Sequence, residues 1–319
     1  MRYYLNEEKN ISIEGSIVAC IGYFDGLHRG HQTLLYKTIE LAKLYDAHSA
    51  MISFTPDPKE VISGQKGQHV QSYEDRLKIA EAMGIDDIIV IAFTKDLCHM
   101  DKDRFFDTVL KKLPLKALVC GFDFHYGYKG EGNAYSLKER AKDMYEVIII
   151  DEVLYADEKI SSTRVRVAIE SGDIKFANIL LGYTYFIHGE VVHGKHNGHD
   201  IGFPTANVGL DSEILYPKVG VYIGYCKVED TIYKAMINIG YNPTIAADNE
   251  LTLEVNIIDF EGDIYGEDIY VYFTDRIRDV IRFSSLDELK AQLSKDKQVA
   301  KGQTDAVKFI LWYLKRCLQ

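Results

Sequence analysis

Through the first half of the chain, short apolar runs alternate with amphipathic stretches. Residues 17–21, 49–54, 87–93, 117–120 and 146–150 are short, mostly apolar runs, and between them 32–45, 73–83, 102–113 and 136–143 repeat apolar side chains at helical spacing. A run apolar on both faces predicts a strand buried between layers, and strand–helix alternation predicts a parallel sheet with helices on its faces. Ligands of such sheets bind beyond the carboxyl ends of the strands.

From residue 185 the pattern changes. Runs at 185–193, 220–229, 231–239, 251–260 and 268–273 are rich in β-branched and aromatic residues and separated by Gly, Asn, Asp and Pro, which predicts antiparallel strands closing into a small barrel. A helix over 285–295 follows, with Leu286, Leu289 and Leu293 on one face. A helical stretch over 164–181 ends at Gly182, giving two expected domains, 1–182 and 183–319. No internal repeat or low-complexity tract is visible.

Composition narrows the partners. With 47% hydrophobic and 27% charged residues, the 319-residue chain reads as a globular protein with a real core. A net charge of −11 argues against nucleic acid or an anionic membrane as a partner, but not against a nucleotide, whose phosphates are met locally by backbone N–H groups. Cys20, Cys98, Cys120, Cys226 and Cys317 have no metal-ligand spacing and read as reduced thiols. The start, MRYYLNEEKN, predicts no signal peptide, and no run approaches the ~20 apolar residues of a membrane span, so a cytoplasmic enzyme is expected. Oligomeric state is not legible.

The first candidate chemistry lies directly after the first strand. Gly22, Gly26 and Gly30 permit a tight turn into a helix beginning near His31, and free N–H groups at a helix start attract anions. His28 and His31 place two imidazoles beside that pocket. A glycine turn or a histidine taken alone is as compatible with a structural role.

The residues Phe24-Asp25-Gly26-Leu27-His28-Arg29-Gly30-His31 resemble the signature of the nucleotidyltransferase superfamily, whose HxGH motif binds ATP or CTP phosphates. A second superfamily element, ISSTxxR, resembles Ile160 to Arg166; Ser161, Ser162, Thr163 and Arg164 at a helix start suit a leaving pyrophosphate. An ordinary N-cap is compatible with that role. Phe54, Pro56 and Pro58 resemble a Phe-x-Pro-x-Pro loop, and residues 121–127, with Asp123 and Phe124, a GxDFxFG loop. Both loops occur in prokaryotic bifunctional riboflavin kinase/FAD synthetases. Asp57 stands where that family often has His.

The second half carries the resemblance on. Gly202-Phe203-Pro204-Thr205-Ala206-Asn207 is similar to the riboflavin kinase PTAN motif, in which Thr and Asn help hold Mg²⁺ and nucleotide phosphates. Gly194, Gly198 and Gly202 match a glycine-rich phosphate loop in which a commonly basic position is His199. Residues 216–222, 238–244 and 253–266 come next in the family's order. Glu254 matches the family's base, and an inner-face position on a barrel strand is expected for it; the family's His two residues on is Asn256, and its frequent Glu near the end is Val280. The tail, 301–319, with Phe309, Ile310 and Trp312, extends past the family's usual end.

The resemblance implies an α/β fold, with an N-terminal Rossmann-like nucleotidyltransferase domain on a parallel sheet and a C-terminal antiparallel β-barrel domain with a C-terminal helix. It implies phosphorylation of riboflavin to FMN by ATP, then adenylylation of FMN to FAD. Catalysis falls to Glu254, His28 and His31. The adenylylation ATP falls to Gly22, Phe24, Asp25, Gly26, His28, Gly30, His31, Ser161, Ser162, Thr163 and Arg164; its flavin to Phe54, Pro56, Pro58, Asp123 and Phe124. The kinase ATP falls to Gly194, Gly198, Gly202, Pro204, Thr205 and Asn207, with Mg²⁺ at Thr205 and Asn207. The histidines are expected to donate hydrogen bonds to phosphate, because the FMN phosphate is already anionic and needs no base. A monofunctional adenylyltransferase and a non-catalytic flavin-binding regulator are the alternatives. The first would form no FMN, and the second would bind flavin without consuming ATP.

Overall fold

A computed structural model describes residues 1–5, 12–193, 202–241 and 251–303. The apolar run at 17–21 forms β2 (Ile17–Ile21), buried at every position, with a strand paired along each of its edges. Around it stand β1 (Arg2–Leu5), β3 (His48–Thr55), β4 (Asp87–Ala92), β5 (Leu115–Gly121) and β8 (Glu146–Ile150), in the all-parallel order β1-β4-β3-β2-β5-β8. The sequence pattern did not reveal β1, which adds to β4 as an edge strand from Arg2↔Ile88 to Leu5↔Ile91. Two short ribbons complete the strands of this half: β6 (His125–Tyr126) with β7 (Gly132–Asn133), and β9 (Leu154–Tyr155) with β10 (Glu158–Lys159).

The helices are α1 (Arg29–Leu44), α2 (Pro58–Ser63), α3 (Tyr73–Ala82), α4 (Lys95–Cys98), α5 (Lys102–Thr108) and α6 (Ala134–Ala141). The stretch expected to be helical over 102–113 stops at Thr108. A single 3₁₀ turn comes next, and Leu113 is extended (φ −83, ψ 142) as the residue before Pro114. The helix expected over 164–181 is two: α7 (Ser162–Ser171) and α8 (Ile174–Leu181). Gly172 divides them with φ +83, and the Asp173 side chain caps α8 by accepting from Phe176 N at 3.1 Å.

The second half closes into a barrel of β11 (Phe186–Val192), β12 (Ala206–Val208), β13 (Gly220–Val228), β14 (Thr231–Tyr241), β15 (Leu251–Ile257) and β16 (Asp268–Arg278). Their order is β11-β12-β15-β14-β13-β16, every pair antiparallel, so no edge is left open. Tyr222, Ile237, Val255 and Phe273 are fully buried in its interior. Gly224 lets two strands touch there: a Cβ at this position would lie 1.8 Å from the Tyr272 carbonyl. A final helix, α9 (Leu286–Gly302), is capped by Ser285 and runs beyond the expected 295.

Residues Met1–Gly67 and Tyr73–Ser161 form one compact unit, and residues Gln68–Ser72 and 162–303 form the other. In the second unit, Asn178 ties α8 to the barrel by donating to Phe273 O (2.9 Å) and accepting from Tyr185 N (2.7 Å). Among the described residues no helix is long and apolar enough to cross a membrane.

Candidate functional sites

The glycine turn leaves the sheet where β2 ends. Gly22 N donates to Ile52 O at 3.1 Å, and a Cβ on Gly22 would come within 3.1 Å of the Phe24 ring. Phe24 is left-handed (φ 61, ψ 30), and a 3₁₀ turn over Asp25–Leu27 succeeds it, in which Gly26 has φ 74. His28 is the N-cap of α1: its Nδ1 accepts from His31 N at 3.3 Å. The two imidazoles stack with centroids 3.7 Å apart and planes at 15°, and Phe24 meets His31 edge-on at 5.3 Å. Gly30 belongs to this packing, since a Cβ there would lie 3.2 Å from the His28 ring.

The histidines are electrostatically unusual. Burial pushes His28 down to about 4, against the opposing pull of Asp25 and Asp123. His31 is held well below the ordinary value, first by burial and then by the charges of His28, Arg76 and Lys159. At neutral pH both are uncharged. With its Nδ1 accepting from the backbone, His28 has Nε2–H left as a donor. An imidazole at about 4 is a weak proton acceptor at pH 7.

Other predicted residues of the first unit have clear places. Phe54 closes β3 with its ring edge-on to Phe93 at 5.9 Å, Pro56 is exposed, and Pro58 opens α2. Asp57 caps α2, its Oδ1 accepting from Lys59 N at 2.8 Å, which gives the departure at this position a structural role. Asp123 is exposed and ion-paired with Lys159. Phe124 packs against the core and stacks on Tyr126 at 5.8 Å. Sequence reasoning passed over Lys159, which faces both histidines and lies one residue before the motif at 160–166.

Ser161 ends the first unit, and Ser162, Thr163 and Arg164 open α7 in the second. Arg164 lies over the Phe176 ring at 5.1 Å. The arginine in the R position of ISSTxxR is Arg166, which sequence reasoning left without a role.

The second unit holds a cavity of about 1270 Å³. Asn207 on β12, Glu254 on β15 and Asn238 on β14 stand opposite one another across three neighbouring strands and line it. Their face is not the interior one expected for Glu254. Leu253 and Val255, its neighbours in sequence, are the buried residues (1% and 0% exposed), so the strand's alternation turns Glu254 onto the outer wall. Asn238, which the sequence reading gave no role, donates from Nδ2 to Glu254 Oε2 at 3.4 Å. Asn256 donates from Nδ2 to Pro204 O at 2.7 Å, pinning the loop that presents Thr205. Gly202 is exposed with φ +80, whereas Gly194, Gly198 and His199 lie outside the described residues.

Part of the cavity lining is apolar, from Val280, Ile281, Phe283, Leu286, Leu289 and Leu293. Asp296 of α9, 3% exposed, receives Arg278 Nη2 at 2.7 Å and Nε at 3.0 Å, and Gln292 Nε2 at 2.9 Å. One cavity thus joins an aliphatic wall, a carboxylate and a Thr/Asn pair of oxygen donors.

Family models match both halves: FAD synthetase over residues 10–164 and riboflavin kinase over 181–304. A bifunctional riboflavin kinase/FMN adenylyltransferase of Listeria monocytogenes is 38% identical over 283 residues, spanning 88% of this chain and 90% of that protein. The chain belongs to the bifunctional riboflavin kinase/FMN adenylyltransferase family. Its Bacillus subtilis relative of the same name is 34% identical, spanning 89% of this chain and 91% of that protein. A solved Streptococcus pneumoniae chain described as a macrolide-efflux protein is 34% identical, with a TM-score of 0.88 over 95% of this chain and 99% of that one. The family carries two activities, with ATP and flavins as the small-molecule substrates.

Proposed function

We propose that the chain converts riboflavin to FMN at the barrel cavity and FMN to FAD at the glycine turn, in the domains 183–319 and 1–182 respectively. The observation that carries this reading is the pairing of two unlike sites. One has a carboxylate among oxygen donors beside an apolar wall; the other has two uncharged imidazoles at a helix start.

In the first reaction the riboflavin 5′-hydroxyl attacks the γ-phosphorus of ATP. The O–P bond to the β-phosphate breaks, ADP leaves, and Glu254 takes the hydroxyl proton. Asn238 orients the Glu254 carboxylate, and Val280, Leu286 and Leu289 seat the isoalloxazine ring. Gly194, Gly198, Gly202, Pro204, Thr205 and Asn207 meet the nucleotide. Thr205 and Asn207 offer uncharged oxygen donors and no cluster of carboxylates, a set that suits Mg²⁺ sharing phosphate oxygens and water. Bound there, Mg²⁺ would offset phosphate charge.

In the second reaction an oxygen of the FMN phosphate attacks the α-phosphorus of ATP and pyrophosphate leaves. The nucleophile is already an anion, so the task is to align polyanions and stabilise the charge that develops. His28 and His31 donate to phosphate, assisted by the backbone at Gly22, Phe24, Asp25, Gly26 and Gly30. Ser161, Ser162, Thr163, Arg164 and Arg166 receive the departing pyrophosphate. Phe54, Pro56, Pro58, Asp123 and Phe124 border the flavin. The setting is cytoplasmic.

Incubation with riboflavin, ATP and Mg²⁺, with flavins separated over time, tests the reading. FMN and then FAD are expected; flavin bound without ATP consumption would contradict it.

A further inference from the structure

Behind the glycine turn sits a guanidinium that the chemistry above does not use. Arg76, on α3, is 1% exposed. A cation so deeply placed is costly unless its donors and charge are engaged locally. Its Nη1 donates to the Tyr23 carbonyl at 2.7 Å, and its guanidinium carbon lies 4.3 Å from the centroid of the Tyr23 ring and 5.2 Å from that of Tyr73. Ser53 Oγ donates to the same carbonyl at 3.3 Å. Both donors therefore hold one end of the peptide joining Tyr23 to Phe24.

The other end of that peptide is the nitrogen of Phe24, a residue under backbone strain. Phe24 has φ 61, a conformation a bulky L-residue keeps only where its surroundings hold it. Its ring, 1% exposed, meets His31 edge-on, and His31 stacks on His28. We infer that Arg76 is a positioning residue for FAD formation: by gripping the Tyr23 carbonyl it fixes Phe24, and through Phe24 the two imidazoles that meet ATP.

The charge of Arg76 acts in the same direction. His31 is faced by His28, Arg76 and Lys159, and His28 by Asp25, Asp123 and Lys159. The Tyr23 and Tyr73 rings lie around the guanidinium itself, and Asp57 and Asp25 face Tyr23. Lys159 is partly exposed and paired with Asp123, whereas Arg76 is shielded from solvent, so water screens its charge less at His31. The inference rests on assigning residues 22–31 to the ATP of FAD formation.

The test is FAD formation from FMN and ATP by full-length Arg76→Lys and Arg76→Met between about pH 5 and 8, with thermal unfolding and FMN formation measured alongside. Lysine keeps the charge but not the guanidinium fork. For Arg76→Lys, kcat/KM for ATP should fall roughly ten- to a hundredfold, the loss expected for one charged hydrogen bond, with a pH profile as flat as the wild type's. Arg76→Met should fall at least as far, and its acid limb should lie at higher pH than the wild type's, because one of the charges opposing protonation of His31 is gone while burial remains. Wild-type kcat/KM in a folded Arg76→Lys overturns the inference. So does a loss in both variants that matches loss of folded protein with no change in pH profile. If Arg76→Met does not fold, Arg76→Lys decides alone. Normal FAD formation by His31→Ala would instead sink the assignment on which the inference rests.

Discussion

Asn207 and Glu254 stand directly opposite one another in the β12–β15 pair, on the side of the barrel wall away from buried Leu253 and Val255. Asn238 is Glu254's register partner on the other flank and donates to its carboxylate, so Glu254 lies between two asparagines on adjacent strands. Strands hold a reacting group more precisely than loops do.

From this arrangement, Glu254→Gln should keep the shape of the site but lose the proton acceptor. FMN formation should fall roughly 10²- to 10⁴-fold in kcat, the usual weight of a general base, with the KM for riboflavin little changed. Steady-state assays with riboflavin as the varied substrate check it.

Titration of His28 predicts a pH-dependent stability. Above about pH 6.5 the imidazole is neutral in both the folded and the unfolded chain. As pH falls from 6.5 toward about 4, the unfolded chain binds a proton that the folded one refuses, so stability declines through that window. At pH 5 this amounts to roughly 2 kcal/mol. Denaturant unfolding at pH 7 and pH 5 should show that much less decline in His28→Asn; an equal decline would refute the burial argument.

Asp57 owes its place to α2. Asp57→Ala should lose about 1 kcal/mol as the cap on Lys59 N disappears, and Asp57→Asn, which can still accept that bond, should lose less. Chemical denaturation of the three proteins ranks them.

Arg278 and Asp296 join the end of β16 to α9 as a pair whose side chains are 18% and 4% exposed. Removing one partner strands the other, so Asp296→Ala should cost roughly 3 kcal/mol, near the low end for buried pairs because Arg278 retains some solvent. Because α9 also lines the apolar wall, the KM for riboflavin should rise, while FAD formation from supplied FMN persists. Unfolding and both assays on one preparation measure this.

Legibility in the sequence depended on which signals are local. Continuous apolar runs alternating with helical periodicity announced the parallel sheet, β-branched and aromatic runs between turn residues announced the barrel, and the motifs at 22–31 and 204–207 lay in unbroken stretches. A strand of three residues, Ala206–Val208, is too short to carry a period of its own and went unseen. The face of Glu254 was misplaced because alternation gives two faces without saying which one a closed barrel turns inward. Arg76 and Lys159 were invisible for another reason. Arg76 sits in an amphipathic helix where an arginine reads as solvated, and only the tertiary approach of α3 to Tyr23 gives it a task.

Two separate sites in one chain should lose their activities independently, and parallel product assays on two variants measure this. A His28→Ala, His31→Ala double variant should form FMN at the wild-type rate and no FAD. Glu254→Ala should form FAD from supplied FMN and almost no FMN from riboflavin. Loss of both activities in either folded variant would mean that the two reactions share one site.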